Sequence, residues 1–213
     1  MTIRHGGRAT PRGFQFELTG GRLCLDFANT LDNRPTDQPQ ERLATYADLI
    51  SWSVQAGALQ QPAARRLEAL AARRAREAAE VLGRARDLRE AIFAVLSGHA
   101  ADRPAPAGAL EVLQSALPGA MSRLRLAPGK TGFSWGWDAD DEALDAMLWP
   151  VVRSATDLLT SDDLDRVRVC AGQRCNWLFL DQSRNRSRRW CDMTVCGNRD
   201  KARRFYRRAR ASA

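Results

Sequence analysis

The sequence predicts an α+β protein with a mainly helical N-terminal domain, residues 1–165, that includes a small β-hairpin component, and a small C-terminal module, residues 166–213. Three observations predict this organisation. Residues 62–97 are rich in Ala, Arg, Leu and Glu, which are strong helix formers. Residues 121–137 alternate apolar with small or polar positions around a Pro-Gly turn, which is typical of a β-hairpin. Beyond residue 165, cysteines and arginines replace the helical apolar pattern.

The first half of the N-terminal domain follows from apolar periodicity. Residues 14–18 alternate as a half-buried strand does, and residues 23–31 carry apolar side chains at helical spacing. A loop then leads into a helix that ends near Gly57. The next stretch, 62–97, is a long helix, and we expect Gly83 to bend it or divide it in two.

The second half of this domain begins with a loop rich in Pro, Ala and Gly, residues 97–109, followed by a helix near 108–117. The hairpin 121–137 comes next, and two of its tryptophans, two positions apart, share one face. Residues 141–169 are a helical run with a wide apolar stripe. Pro150 should kink this run or mark a new helix start.

The composition of the chain argues against a membrane-spanning or secreted protein. No apolar run approaches the roughly 18 residues that a membrane-spanning helix needs, and the first residues lack the apolar core of a secretory signal. We therefore expect a cytoplasmic protein, in which thiols stay reduced.

The net charge is +8, but residues 166–210 contain 14 Lys or Arg and 3 Asp or Glu, a net charge of +11. The rest of the chain is slightly acidic, and this asymmetry indicates a polyanionic partner for the basic part.

Four of the five cysteines form two pairs with the spacing C-x4-C-x15-C-x4-C: Cys170, Cys175, Cys191 and Cys196. Two close pairs separated by a hairpin-sized gap are typical of a tetrahedral zinc site, in which each pair binds from one tight turn. Two disulfides or plain buried thiols are the alternatives. Four thiolates leave no open coordination position, so the zinc would be structural. Cys24 lies in an apolar setting and is expected in the core.

The segments around the cysteines predict the shape of this module. We expect "NWLFLD" and "SRRWC" to be hairpin arms, Gly172 to provide unusual backbone angles in the first knuckle, and Asn198 to cap a terminal helix. A knuckle, a hairpin, a second pair and a helix make a treble-clef-like zinc finger with four cysteine ligands. A ribbon-like finger made of two knuckles is the near alternative.

The end of the chain resembles the CGNR zinc-finger family, whose name is the tetrapeptide at residues 196–199. The flanking "WLFLD", "SRNRSRRWC" and "KARRFYRR" resemble that family's pattern, and "LCLDFANT" and "YADLISW" upstream are similar to the ABATE-type domain that precedes such fingers. The resemblance implies a zinc-binding bacterial protein, proposed as a transcription regulator or an RNA-binding protein.

Ten basic residues are candidates for contact with nucleic acid, DNA or RNA. They lie between the cysteine pairs and along the terminal helix: Arg184, Arg186, Arg188, Arg189, Arg199, Lys201, Arg203, Arg204, Arg207 and Arg208. Guanidinium groups suit phosphate oxygens, and a row of them on a rigid helix suits a nucleic-acid backbone. The alternative is a solvated face, partly neutralised by the acidic N-terminal domain.

The aromatic residues of the module could stack on unpaired bases: Trp177, Phe179, Trp190, Phe205 and Tyr206. Because so small a module needs its apolar side chains for a core, we expect most of them to be buried.

No arrangement of residues typical of catalysis is visible, so we do not expect an enzyme. Four polar residues near the first predicted helix form a candidate pocket for a small-molecule effector: Asp26, Asn29, Asn33 and Arg34. Helix caps and turn hydrogen bonds explain these residues equally well. The leading hypothesis is a nucleic-acid-binding regulator without a membrane partner. The alternatives are a finger that docks on an acidic domain or protein, and a ligand-sensing N-terminal domain with a purely structural finger.

Overall fold

The structure, a computed structural model, describes residues 6–11, 13–129, 132–138 and 142–211. In these ranges the helices are α1 (Leu23–Ala28), α2 (Tyr46–Gln55), α3 (Gln61–Arg73), α4 (Ala75–His99), α5 (Ala107–Ser122), α6 (Leu148–Leu159) and α7 (Asn198–Ala211). The strands are β1 (Gly7–Thr10), β2 (Gly13–Phe16), β3 (Leu31–Asp32), β4 (Gln40–Glu41), β5 (Leu124–Gly129), β6 (Gly132–Trp137), β7 (Val167–Val169) and β8 (Leu178–Leu180). Consecutive strands pair into four two-stranded antiparallel ladders. The predicted α+β class with a mainly helical N-terminal part is confirmed.

The core lies around α1, which packs against α4 and α6. Leu25 and Phe27 are fully buried, and the ring of Phe27 lies 5.0 Å from that of Trp52 in α2. Cys24 is buried in the same core, as predicted, and burial raises the pKa of its thiol to about 11. This thiol is therefore protonated at neutral pH and serves as a small apolar group.

The long helical stretch predicted over 62–97 is divided in two as expected, but at Arg74 and not at Gly83. Arg74 has φ −123° and ψ 51°, and it ends α3 and precedes α4. Its guanidinium group pairs with Glu142, 2.5 Å away. Gly83 lies inside α4, and nothing is within 4 Å of the position that a Cβ would take there. A single exposed glycine weakens a helix by about 1 kcal/mol, which is too little to end one whose other face is buried.

Among the described residues, three prolines fall within helices, and the first of them, Pro62, lies in the opening turn of α3. Pro118 lies inside α5, which extends beyond the predicted 108–117 and ends at Ser122. Pro150 lies in the first turn of α6, which begins at Leu148. The first N–H groups of a helix have no partner within it, so a proline there removes no hydrogen bond. Pro150 therefore marks a new helix start, which is one of the two predicted outcomes.

The β5–β6 hairpin forms where it was predicted, although Pro128, Gly129 and Gly132, expected in the turn, belong to its strands. Leu126 lies opposite Trp135, and Leu124 lies opposite Trp137, so these side chains share a face. Trp137 packs at 6.2 Å from Trp149 of α6, whereas Trp135 is 56% exposed. The base of the hairpin thus joins the core and its outer half lies at the surface.

The β7–β8 ladder connects the cysteine-rich module to the helical core. Val167, Leu178 and Leu180 are buried in the same apolar cluster as α1, α4 and α6. The N–H of Leu180 donates to the carbonyl of Gly20 at 2.8 Å. The module is therefore anchored in the N-terminal core through its first hairpin. None of the helices in the described ranges is long and apolar enough to cross a bilayer.

Candidate metal centre and basic surface

The four paired cysteines come together in one buried cluster. Their sulfur atoms all lie within 4.8 Å of one another. The Sγ of Cys191 is 3.6 Å from that of Cys175 and 3.8 Å from that of Cys196. Four thiolates at about 2.3 Å from a tetrahedral zinc ion would have sulfur atoms about 3.8 Å apart. The geometry therefore fits zinc, and no disulfide joins these cysteines.

The first pair lies in the turn between β7 and β8. The N–H of Cys170 donates to the carbonyl of Trp177 at 2.8 Å, and the N–H of Cys175 donates to that of Gly172 at 2.9 Å. The left-handed position is Asn176, with φ 57°, so the backbone role predicted for Gly172 was wrong. Asparagine tolerates this conformation better than most residues do. A side chain at Gly172 would be crowded, because its Cβ would lie 3.2 Å from the Sγ of Cys196.

The hairpin predicted between "NWLFLD" and "SRRWC" is absent from the described residues, because β8 pairs with β7 instead. The segment before Cys191 is held by side chains. The carboxylate of Asp181 accepts from the N–H groups of Ser183 and Arg188, at 2.9 Å each. The guanidinium group of Arg188 donates to the carbonyls of Trp190 and Cys191. These bonds replace a strand ladder and position the third cysteine.

The second pair lies at the beginning of α7. Cys196 is in a wide helical turn, Met193–Gly197, that continues directly into α7. Asp192 caps this turn by accepting from the N–H groups of Thr194 and Val195. Asn198, the predicted cap, instead donates its amide to the carbonyl of Thr194 at 3.0 Å. A second pair at a helix start is the treble-clef-like arrangement, and a second knuckle of the ribbon-like alternative is not formed here.

Without a metal the four thiols compete for protons. Burial raises the pKa of Cys175 above its ordinary value. The hydrogen bond with Cys175 is the main cause that lowers the pKa of Cys170, to about 7. One thiolate is thus stabilised at the expense of its neighbours. A divalent cation bound to all four sulfur atoms would remove this competition and replace the protons.

The finger has a small aromatic core beside the cysteines. Trp177 and Phe179 are buried, and Trp190 packs against them. Phe205 and Tyr206, in contrast, are 69% and 66% exposed. The expectation that most of the five aromatic residues form the core is therefore met by the three beside the cysteines, and these two are the exceptions. Their rings contact each other edge to face, with centroids 5.8 Å apart. The reason is that α7 extends away from the finger, and residues 201–210 are all exposed.

The candidate arginines fall into two groups. Arg188 holds the loop before Cys191, and its guanidinium group lies 4.7 Å from the ring centre of Phe179. Arg203 and Arg204 pair with Asp200 on their own helix. The other group is exposed and has no acidic partner among the residues that the structure describes. Its members are five of the ten candidates, Arg184, Arg186, Arg189, Lys201 and Arg207, together with Arg174 and Arg210, which lie outside that set. The two remaining candidates, Arg199 and Arg208, are also exposed.

Sequence reasoning missed Arg174 and Arg42 as candidate contact residues. Both line a cleft of about 880 Å³ between the β1–β2 side of the N-terminal domain and the finger. Arg174 was visible as a cation inside the first cysteine pair, "CAGQRC". Arg42 carried no signal, because only the folded chain brings it opposite α7.

The four residues of the candidate effector pocket point to separate partners. Asn29 is buried and bonds both backbone groups of Leu178. Arg34 pairs with Glu90 and donates to the carbonyl of Ala28.

The remaining two residues of that set also differ in their surroundings. Asp26 accepts from the N–H of Gly20 at 2.7 Å, and burial raises the pKa of its carboxyl group to about 6. Asn33 lies in the left-handed region, with φ 53°, and lines the same cleft as Arg42.

Comparison with known families agrees with this architecture. Residues 166–209 match the family described as "CGNR zinc finger". Residues 21–162, more than half of the chain, match the ABATE family, described as "Putative stress-induced transcription regulator". A search of curated proteins finds no match. The cofactor that the cysteine cluster and the finger family support is zinc. The chain belongs to the ABATE family and carries a C-terminal CGNR zinc finger.

Proposed function

We propose that this protein is a transcription regulator that binds nucleic acid through the basic surface of its zinc finger. The observation that carries the proposal is the exposure of α7. Residues 201–210 of this helix all face solvent, and the four-cysteine cluster holds its N-terminal end. If the arginines of α7 were buried in ion pairs with the N-terminal domain, the alternative in which the finger docks on that domain would be favoured. The described residues show Arg203 and Arg204 paired on their own helix instead.

Phosphate neutralisation would supply most of the affinity. A protein that neutralises several phosphates releases the same number of condensed counterions, so its affinity falls steeply with salt. If six exposed cations of the finger contact duplex DNA, the logarithm of the binding constant should fall with the logarithm of salt with a slope of about −5. Six such cations are Arg174, Arg184, Arg186, Lys201, Arg207 and Arg210.

Zinc has a structural role in this proposal. Cys170, Cys175, Cys191 and Cys196 would hold it, and four thiolates leave no coordination position for water or substrate. The metal would supply folding free energy, which fixes the loop before Cys191 and the first turn of α7. We propose no catalytic activity for the chain, and its matched families are of the regulator and zinc-finger types.

The N-terminal part, residues 1–165, would regulate the finger. The support for this is the continuity of the core, because Val167 and Leu178 of the finger are buried among the N-terminal helices. A change in the packing of α1 would reach β8 directly through Asn29. A small-molecule effector that repacks this domain would therefore alter the finger. We propose the cytoplasm as the working environment of the protein, and a zinc site made of reduced thiols supports this.

An acidic protein is a second candidate partner. The observation that favours it is the exposed pair Phe205 and Tyr206 beside the arginines of α7. Aromatic and arginine side chains together are typical of protein interfaces as well as of base stacking.

The test is fluorescence anisotropy of the zinc-loaded full chain with labelled duplex DNA, single-stranded DNA and RNA across a salt series. The control is a chain that ends at Asp200, which keeps all four cysteines but lacks most of α7. A cut at residue 165 is unsuitable, because it would remove Val167 and Leu178 from the core. We expect salt-dependent binding by the full chain and a loss of most of it in the shorter one. Equal binding by both chains, or none by the full chain at low salt, would exclude the proposal.

A further inference from the structure

The cleft beside the zinc finger has one wall from each part of the protein. On the N-terminal side, the guanidinium group of Arg42 is fixed by Asp32 at 2.7 Å and by Gln40 at 2.7 Å. It also lies 4.9 Å from the ring centre of Phe14. Phe14 and Arg42 both line the cleft. This wall therefore presents the plane of a guanidinium group that is paired with a buried carboxylate and backed by an aromatic ring.

Three arginines and one carboxylate, that of Asp200, line the finger side of the cleft, so this side is cationic overall. Asp200 pairs with Arg203. Arg174 projects from the first cysteine turn, is exposed and has no acidic partner among the described residues. Arg199 and Arg203 line the same wall from the first turns of α7.

The cleft wall continues along α7. Helical spacing of four and then three residues places Arg207 and Arg210 on the face that begins with Arg199 and Arg203. From Arg199 to Arg210 the helix rises about 16 Å. A cationic track therefore leads from the exposed helix into the cleft.

We propose that the cleft binds a single-stranded segment of nucleic acid, with phosphates on Arg174 and the α7 face and a base on the plane of Arg42. This inference rests on the proposed function and adds the strand type and a contribution from the N-terminal domain. Arginine planes and aromatic rings stack on unpaired bases, and paired bases in a duplex do not offer these faces. The volume of about 880 Å³ is in the range of ligand-sized clefts.

The opposite wall allows a test that leaves the finger untouched. Asn33 lines the cleft on the N-terminal side, and no hydrogen bond to its side chain is present among the described residues. Asn33→Asp adds a negative charge without a change of shape, and aspartate tolerates the left-handed φ of this position. A strand that passes between the walls would be repelled by this carboxylate.

The experiment compares the full zinc-loaded chain with Arg174→Ala and Asn33→Asp. The probes are one labelled mixed-sequence strand of about 12 nucleotides and the duplex of the same sequence. Arg65→Ala on α3 is the matched control, because Arg65 is exposed, does not line the cleft and has no acidic partner among the described residues. Zinc content and thermal unfolding are measured for each variant, to show that the variants are folded.

We expect Arg174→Ala to weaken single-strand binding about three- to tenfold and to reduce the salt slope by about 1. Asn33→Asp should weaken single-strand binding about threefold. Duplex binding should change less than single-strand binding in both cleft variants. Arg65→Ala should change neither single-strand nor duplex binding. Unchanged single-strand binding in either cleft variant, or equal losses for strand and duplex, would overturn the inference. Arg207→Ala, outside the cleft, separates the two proposals. If it weakens binding while the cleft variants do not, the proposed function stands and the cleft inference fails.

Discussion

The side chain of Asn29 is hydrogen-bonded to both backbone groups of Leu178. Its amide donates to the carbonyl of Leu178 at 2.8 Å, and its oxygen accepts from the N–H of Leu178 at 2.8 Å. Asn29 is buried at the end of α1, and Leu178 begins the second strand of the finger hairpin. A carboxamide thus takes the place of a neighbouring strand and joins the two parts of the protein.

Asn29→Ala should lower the free energy of unfolding by about 2–4 kcal/mol, because two buried backbone groups lose their partner. Urea unfolding of the zinc-loaded chain measures this change. Asn185→Ala, in the exposed loop between the cysteine pairs, is the matched control and should cost less than about 0.5 kcal/mol. Equal effects of the two substitutions would contradict the role of Asn29 as a connection.

Cys191→Ser should abolish stoichiometric zinc binding and destabilise the N-terminal domain as well as the finger. The wider effect is expected because the β7–β8 hairpin shares the core of the N-terminal helices. Metal analysis should find one zinc ion per native chain, and thermal unfolding should show a lower Tm for the whole transition of the variant. Cys24→Ala is the control. It removes a core thiol and should leave the zinc stoichiometry unchanged. A Cys191→Ser chain that still binds one zinc would contradict the assignment.

Asp26 should make the protein less stable as the pH rises. Burial raises the pKa of its carboxyl group from 3.8 to about 6 in the folded state, so the folded state favours the protonated form. The contribution of this group is fully present below the unfolded pKa and is lost as the pH rises through about 6. Between pH 5 and pH 8 the loss should be about 1 kcal/mol.

The measurement compares the native chain with Asp26→Asn, which keeps an acceptor for the N–H of Gly20. Urea unfolding at several pH values between 5 and 8 gives the difference in free energy of unfolding between the two chains. We expect this difference to shift with pH in favour of the variant. A constant difference would show that Asp26 titrates normally.

The sequence predicted what depends on neighbouring residues. The spacing of the four cysteines indicated a zinc centre because each pair lies within one local turn. The same holds for the β5–β6 hairpin, which is indicated by two runs of alternating side chains close together in the sequence.

Contacts between distant segments left weaker signals in the sequence. β7 is three residues long, too short for its alternation to be recognised, so β8 was paired with the wrong partner. The bond from Asn29 to Leu178 joins residues 149 positions apart, and helix capping explained the asparagine equally well. Phe205 and Tyr206 look like core residues by type, and only the direction of α7 shows that they are exposed.

Substitution of two arginines of the finger should distinguish a residue that stabilises the fold from one that binds nucleic acid. Arg188 donates to the carbonyl of Trp190 at 2.8 Å and to that of Cys191, and it lies over the ring of Phe179. Arg188→Ala should therefore lower the free energy of unfolding by about 1–3 kcal/mol, because two carbonyls beside the metal centre lose a charged donor. Arg207 is exposed on α7 and has no acidic partner among the described residues, so Arg207→Ala should change stability by less than about 0.5 kcal/mol.

The two substitutions should have the opposite order of effect on nucleic-acid binding, so that Arg207→Ala is the more damaging. Arg207→Ala should weaken binding in anisotropy titrations and reduce the salt slope by about 1, because one phosphate contact is lost. Arg188→Ala should bind with nearly native affinity when excess zinc keeps the finger folded, because this guanidinium group is already used within the loop. Urea unfolding of the two variants checks the predicted changes in stability, and anisotropy titrations of the same variants check the predicted changes in binding. An Arg188→Ala chain with native stability and weak binding would assign this arginine to the nucleic-acid surface instead.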